Sequence, residues 1–265
     1  MHYGKMTSEA IEQAALSGTL TVFELEDIIL IEHPSLAITE KTWRAAYKNE
    51  ISSRIEQAIG DIDYASKNNI HSGFYKETML YLKDAEQRIK EAQKRGYETN
   101  FSEFEEGIKK VLDGTKKDFE GSKALLFFVE SSEFDLKNHK MELQNRLPEL
   151  GNQYAIKKLK ESRRATKYLK RSFKTGKDCF GRLENSLEVL EGLKEYGITD
   201  FDIQQIKSTA YKNGVERLLN IAKDSAISNR KKSERIIKTA ARNAERLGRD
   251  ISSETGEIRQ LYSND

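Results

Sequence analysis

Proline is almost missing from this chain of 265 residues, which holds only Pro34 and Pro148. Proline breaks helix interiors and is tolerated in loops and sheet edges, so its scarcity favours long helices. Cysteine is scarcer still. The single Cys179 cannot form an internal disulfide, and no apolar leader-like segment opens the chain. Both point to a soluble, intracellular, cytoplasmic protein in a reducing compartment. Long apolar runs are also lacking. The longest, Ala124 to Val129, falls far below the ~18–20 residues that cross a bilayer, so no membrane partner is expected.

The residue groupings of common chemistries are missing too. The four histidines, at 2, 33, 71 and 139, stand far apart without cysteine or carboxylate neighbours at ligand spacing. They read as surface or loop histidines, with no metal site. Gly176-Lys177 lacks the upstream glycine and the following Ser or Thr of a phosphate loop, so it reads as an interhelix turn. No Gly-x-Ser-x-Gly elbow occurs. Cys179 is better explained as a small buried group than as a nucleophile. Asp61 and Asp63, two apart on a helix, point about 200° apart and read as solvated. No catalytic residue, cofactor or small-molecule ligand is assigned, and the expectation is a non-enzymatic protein.

What is present is helical periodicity. Hydrophobic residues make up 37% and charged residues 33%. That balance suits a thin helical fold in which each helix buries one stripe and solvates the rest. The 11 Phe and 11 Tyr argue against disorder. Thr7 or Ser8 is placed to cap a short helix stopped by Gly18. Val22 to Ile31 then reads as a buried helix, although Thr19 to Phe23 also suits a short strand. From Thr39 the pattern is strong. Trp43, Ala46, Tyr47, Ile51, Ile55, Ala58, Ile59 and Ile62 recur at three- and four-residue steps. Met79 to Ala92 form the next face, closed by Gly96, and Ser102 with Glu105 fits a capping box. Further helices are expected near 119–131, 134–147, 153–174, 179–196, 201–227, 231–247 and 254–262.

A degenerate repeat runs through them. Ala-Tyr-Lys-Asn occurs at 46–49 and again at 210–213, and Tyr47, Tyr154 and Tyr211 are each followed eleven residues later by Ala58, Ala165 and Ala222. Gly96, Gly197 and Gly248 each close a helix, with Ala92, Leu193 and Ala244 four residues before them. The fold class read from this is all-α, with two-helix hairpin repeats stacked as an α-solenoid or elongated helical bundle. Residues 1–38 are expected to be an N-terminal helical cap and 39–265 the hairpin-repeat domain, acidic to neutral over 39–150 and basic over 151–265.

The net charge of +2 conceals that asymmetry. Residues 1–150 carry 20 Lys+Arg against 27 Asp+Glu, and residues 151–265 carry 25 against 16. Within the basic half, Lys157, Lys160, Arg164, Lys167, Arg171 and Lys174 step along one helix face, a cationic ridge roughly 25 Å long at ~1.5 Å per residue. Lys158, Arg163 and Lys170 thicken it. The opposite seam is Ala155, Leu159, Ser162, Thr166, Leu169 and Phe173. A second ridge is Lys231, Arg235, Lys238, Arg242, Arg246 and Arg249, opposite Ile236, Ile237, Ala240, Ala241, Ala244 and Leu247. Solvated faces usually interleave signs, because like pairs three or four apart cost a few tenths of a kcal/mol each. Two same-sign ridges therefore suggest a polyanionic partner, RNA or a ribonucleoprotein ahead of DNA. Tyr168 and Phe180 lie near the first ridge, where core packing is the expected role and base stacking the alternative. The alternative function is a protein–protein scaffold or adaptor, gripping an acidic protein or self-associating through its oppositely charged halves.

Overall fold

The computed structural model of the protein describes residues 7–32, 37–68, 74–99, 101–175 and 179–263. Every regular element among these residues is helical, and none is a strand. The chain divides into two compact units, Met1–Leu150 and Gly151–Asp265. The first holds α1 (Ser8–Leu16), α2 (Val22–Asp27), α3 (Glu40–Asn68), α4 (Phe74–Lys94), α5 (Phe101–Gly114), α6 (Phe119–Ser131) and the start of α7 (Lys137–Thr175). The second holds the remainder of α7, then α8 (Cys179–Glu191), α9 (Asp200–Ala210), α10 (Arg217–Ala226), α11 (Arg230–Arg246) and α12 (Ser252–Gln260).

In the first unit the apolar periodicity becomes buried stripes. Ile51, Ile55, Ala58, Ile62 and Ala65 of α3 pack with Tyr75, Leu82, Ala85 and Ile89 of α4 and with Phe104, Ile108, Val111 and Leu112 of α5. Helix α5 can lie close to α3 because it meets that helix with glycines. A Cβ on Gly107 would overlap Ile55, and one on Gly114 would overlap Ile62. The two contacts are seven residues apart on both helices, two turns of matched register. Residues 7–32 pack into the same unit. Ile11, Ala15, Leu20, Val22, Leu25 and Ile28 bury against Ala46, Tyr47 and Ala92. Asn49 fastens them from α3, its Nδ2 donating to the carbonyls of Ala15 at 2.8 Å and Leu20 at 2.7 Å. The strand alternative for Thr19 to Phe23 gives way to a helix start, since Thr21 and Glu24 form a capping box.

Several expectations need correction. The two helices expected at 134–147 and 153–174 are one helix of 39 residues, with Pro148 inside it. Proline removes one N–H and crowds the carbonyl four residues before, that of Gln144. Both side chains are exposed at this point, where water can serve the orphaned carbonyl. The capping box at Ser102 and Glu105 does not form at a helix start, because α5 already begins at Phe101. Besides Thr21–Glu24, a capping box is made by Thr199 and Asp202 ahead of α9. His139 is buried rather than superficial, one turn before the buried Leu143 of α7, with Nε2 3.8 Å from Glu105. Asp61 is not fully solvated either. Its Oδ2 is buried without a hydrogen-bond partner, and burial, reinforced by Glu77, raises its carboxyl above the ordinary value. His2, His33, His71 and Gly176-Lys177 lie outside the described residues, as does the side chain of Cys179.

Four glycines end helices in the left-handed region: Gly18 (φ 82°), Gly96 (77°), Gly197 (89°) and Gly248 (69°). Each makes the same turn. The following residue's N–H returns to the carbonyl four before the glycine, as in Tyr97 to Ala92 (2.9 Å) and Arg249 to Ala244 (2.9 Å). Thr19 to Ala14 (3.0 Å) and Ile198 to Leu193 (3.5 Å) repeat it. Of the three repeat tyrosines, Tyr47 is fully buried, while Tyr154 and Tyr211 are half-buried. Ala58 and Ala222 are fully buried and Ala165 only partly. The helix expected over 201–227 widens into a π turn at Tyr211–Glu216. Gly214 of that turn seats the Phe180 ring, which a Cβ there would overlap.

Candidate polyanion interface

The seam of α7 in the second unit is buried as its sequence implies. Ala155, Ser162, Thr166 and Leu169 have almost no exposure, and Leu159 is partly covered. Ser162 and Thr166 satisfy their hydroxyls on the carbonyls of Lys158 and Arg163, so burial leaves them no orphan. Asn213 Nδ2 donates to Thr166 O at 3.2 Å, and Gly151 lies so close to the Tyr196 ring that a Cβ would overlap it. These contacts fix which face of α7 turns outward. At 100° per residue, Lys157, Lys160, Arg164 and Lys167 then project opposite the seam, and all four are exposed. None of them forms an ion pair with a described residue. The side chains of Lys170, Arg171, Phe173 and Lys174 lie outside the described residues.

Helix α11 repeats the arrangement. Ser233, Ile237, Ala240, Asn243 and Ala244 are buried on one side, followed by Leu247. Lys231, Arg235, Lys238 and Arg242 are exposed on the other, again without ion pairs among the described residues. Ile236 is only half-buried and Ala241 exposed, so the apolar seam is narrower than the sequence suggests. Two members of this ridge are engaged inside the chain. Arg246 lies 3.5 Å from Glu184, and the Arg249 guanidinium lies over the Tyr211 ring, 4.4 Å from its centroid. Glu234 flanks the ridge but is held by Arg259 at 3.1 Å, which keeps its carboxyl below the usual range. Glu245, exposed, flanks it too.

Two residues thought to thicken the α7 ridge are likewise committed. Arg163 bonds Asp202 (3.0 Å) and Gln205 (3.1 Å), and Lys158 bonds Glu161 (3.2 Å) while lying over the Tyr154 ring. Phe180 is buried against Gly214, whereas Tyr168, expected in the core, is 58% exposed. Its ring stands one turn beyond Arg164 and beside Lys167.

Several cations of the first unit are paired. Lys41 pairs with Glu12, Arg44 with Glu40, Arg54 with Glu50, Arg88 with Glu91, Arg95 with Glu26 and Lys110 with Glu106. Lys90 bridges Glu86 and Glu133. What α7 and α11 add is a row of four cations at three- and four-residue steps on one face, with no ion pair to a described residue. Among the described residues no group of three or more His, Cys, Asp or Glu is placed to hold a metal ion. No described helix is long and apolar enough to cross a membrane. No known family, no curated protein and no solved structure matches the chain.

Proposed function

We propose that this chain is a non-enzymatic binding protein whose second unit engages a single-stranded polyanion, RNA or a ribonucleoprotein ahead of DNA. The observation that carries the reading is the row Lys157, Lys160, Arg164 and Lys167, exposed, without an ion pair to any described residue and backed by a buried seam. Like charges three and four apart cost helix stability, and the four carry no internal compensation from described residues. Successive members are three or four residues apart, about 4.5–6 Å along the axis at ~1.5 Å per residue, so one strand can lie along them. Tyr168 favours an unpaired strand over a duplex. An exposed ring beside cations offers a stacking surface that any base accepts, at about 1–3 kcal/mol per base. The α11 row, Lys231, Arg235, Lys238 and Arg242, extends the cationic surface of the same unit.

The glycine turns support the finer fold reading, a succession of related hairpins. Tyr47 packs against Arg95, next to the Gly96 turn, and Tyr211 against Arg249, next to the Gly248 turn. Both tyrosines belong to the Ala-Tyr-Lys-Asn tetrapeptide, so the shared sequence and the shared packing coincide. A labelled oligouridylate of about 20 nucleotides, titrated at several salt concentrations against a duplex of the same length, tests the function. Tighter binding of the single strand, weakened by Tyr168→Ala, supports the reading; no binding of either at low salt overturns it.

A further inference from the structure

The first unit holds a furrow of about 550 Å³ between α4 and α6. Tyr75 and Phe128 form its floor, Met79 and Ala124 its half-buried walls, and Leu80 and Phe127 its lips. The lips are open to solvent: Leu80 is 54% and Phe127 75% exposed. Large apolar side chains exposed together around one depression are a feature of interaction sites rather than of ordinary surface.

The rim has a sign of its own. Lys76 and Lys83 stand on the α4 side and Lys123 on the α6 side, against the single acid Glu120. This is a cationic rim in a unit that carries more acids than bases. No described carboxylate pairs with any of the three lysines, and Lys123 Nζ lies 5.8 Å over the Phe119 ring. Elsewhere in the unit, Arg54, Arg88 and Lys110 find glutamates three or four residues away.

We propose that this furrow docks an amphipathic helix of a partner protein, one whose apolar stripe is bordered by acidic residues. Two parallel stripes, Lys76-Leu80-Lys83 and Glu120-Ala124-Phe127, present the i, i+4, i+7 spacing into which a third helix seats its anchors. The acidic borders of that helix meet the lysines of the rim, which supplies orientation and discrimination against basic helices. A small amphiphile fits less well, because pockets for such ligands cover most of the ligand's surface, and these lips leave one side open. The proposal concerns the first unit and is independent of the polyanion reading.

The test uses the full chain and a fluorescein-labelled helical peptide of about 18 residues, with leucines at i, i+4, i+7 and i+11 and glutamates on both borders. A matched peptide carries lysines in place of the glutamates. In fluorescence anisotropy the acidic peptide binds at least about tenfold more tightly than the basic one. Phe127→Ser weakens it by about tenfold or more, while circular dichroism stays unchanged because the side chain is exposed. The triple change Lys76→Glu, Lys83→Glu and Lys123→Glu inverts the preference between the two peptides. Equal binding of both peptides overturns the proposal, as does indifference to Phe127→Ser. Displacement of the peptide by stoichiometric dodecanoate assigns the furrow to a small amphiphile instead. Self-association in sedimentation velocity that Phe127→Ser abolishes assigns it to a second copy; both outcomes overturn the partner helix.

Discussion

Reversing Lys157, Lys160, Arg164 and Lys167 to glutamate removes the four exposed, unpaired cations of α7 together. Each phosphate contact to a single strand contributes about 0.7 to the slope of log affinity against log salt. Four contacts therefore contribute about 3, which predicts an affinity loss of about 50-fold between 50 and 200 mM salt. If the four free cations of α11 join the same strand, the slope approaches about 6 and the loss rises to about 2,000-fold. The wild-type slope thus reports whether one ridge or both are used. The quadruple variant is expected to lose about 3 of that slope whichever holds. Folding should be nearly untouched. All four positions are exposed, glutamate has a helix propensity close to those of lysine and arginine, and Arg163 gains opposite charges at positions 160 and 167. A change in stability within about 0.5 kcal/mol is expected from thermal melts followed by circular dichroism. The reasoning is refuted if the variant binds the oligonucleotide as tightly as wild type, or if its salt slope is unchanged. A wild-type interaction nearly independent of salt also refutes it, because apolar protein contacts are only weakly screened.

Two other perturbations test the packing. Gly107→Ala places a methyl into Ile55; overpacking costs about 1–3 kcal/mol against a helix-propensity gain of about 1, so net destabilisation of up to about 2 kcal/mol is expected in urea unfolding. Gly60→Ala, with nothing within 4 Å of its new Cβ, takes the propensity gain alone and should stabilise by about 1 kcal/mol. Asp61→Asn tests the buried carboxylate. Its raised pKa, from burial and then Glu77, means the folded chain holds a proton that the unfolded chain releases. Asp61 therefore contributes favourably below the ordinary carboxylate range, and that contribution is lost as pH rises through the folded value. The substitution should stabilise the fold at pH 7, by on the order of 1 kcal/mol in thermal melts, and the gain should disappear toward pH 4. A gain that persists unchanged at acid pH would refute the assignment.

What the sequence makes legible here is whatever a local period encodes. The seams at 155–169 and 237–247 were readable because a helix face is a rule about spacing, and tertiary packing only chose among faces already drawn. The helix ends at Gly18, Gly96, Gly197 and Gly248 were readable for a similar reason, since positive φ is cheap only for glycine. The long α7 was not, because Pro148 carries a local penalty that predicts a break and nothing local announces that the exposed side absorbs it. The π turn at Tyr211–Glu216 was hidden too: the same Ala-Tyr-Lys-Asn lies in a regular helix at 46–49. The difference arises in the second copy, where Gly214 follows and the Phe180 ring fills the space a side chain would take.

The interface divides along the same line. Which cations share a face is a local property, and of the ten ridge cations with described side chains eight are exposed and have no ion pair to a described residue. Which cations are already spent is not local. Arg163 is neutralised by Asp202, 39 residues away, Arg246 by Glu184 on another helix, and the Arg249 guanidinium lies over the Tyr211 ring. Setting them aside narrows the α7 ridge and shortens the α11 ridge, and on the proposed reading this changes the ligand that fits. A broad cationic face suits a duplex, whose phosphates lie on two strands. A single row, of which four cations are described, with an exposed aromatic residue on the same helix, suits one strand whose bases are free to stack. The geometry that sequence could not supply is therefore what tilts the choice from nucleic acid in general toward the unpaired strand. Tyr168→Ala tests that step by itself, because it leaves every cation in place. It should weaken the single strand and spare the duplex.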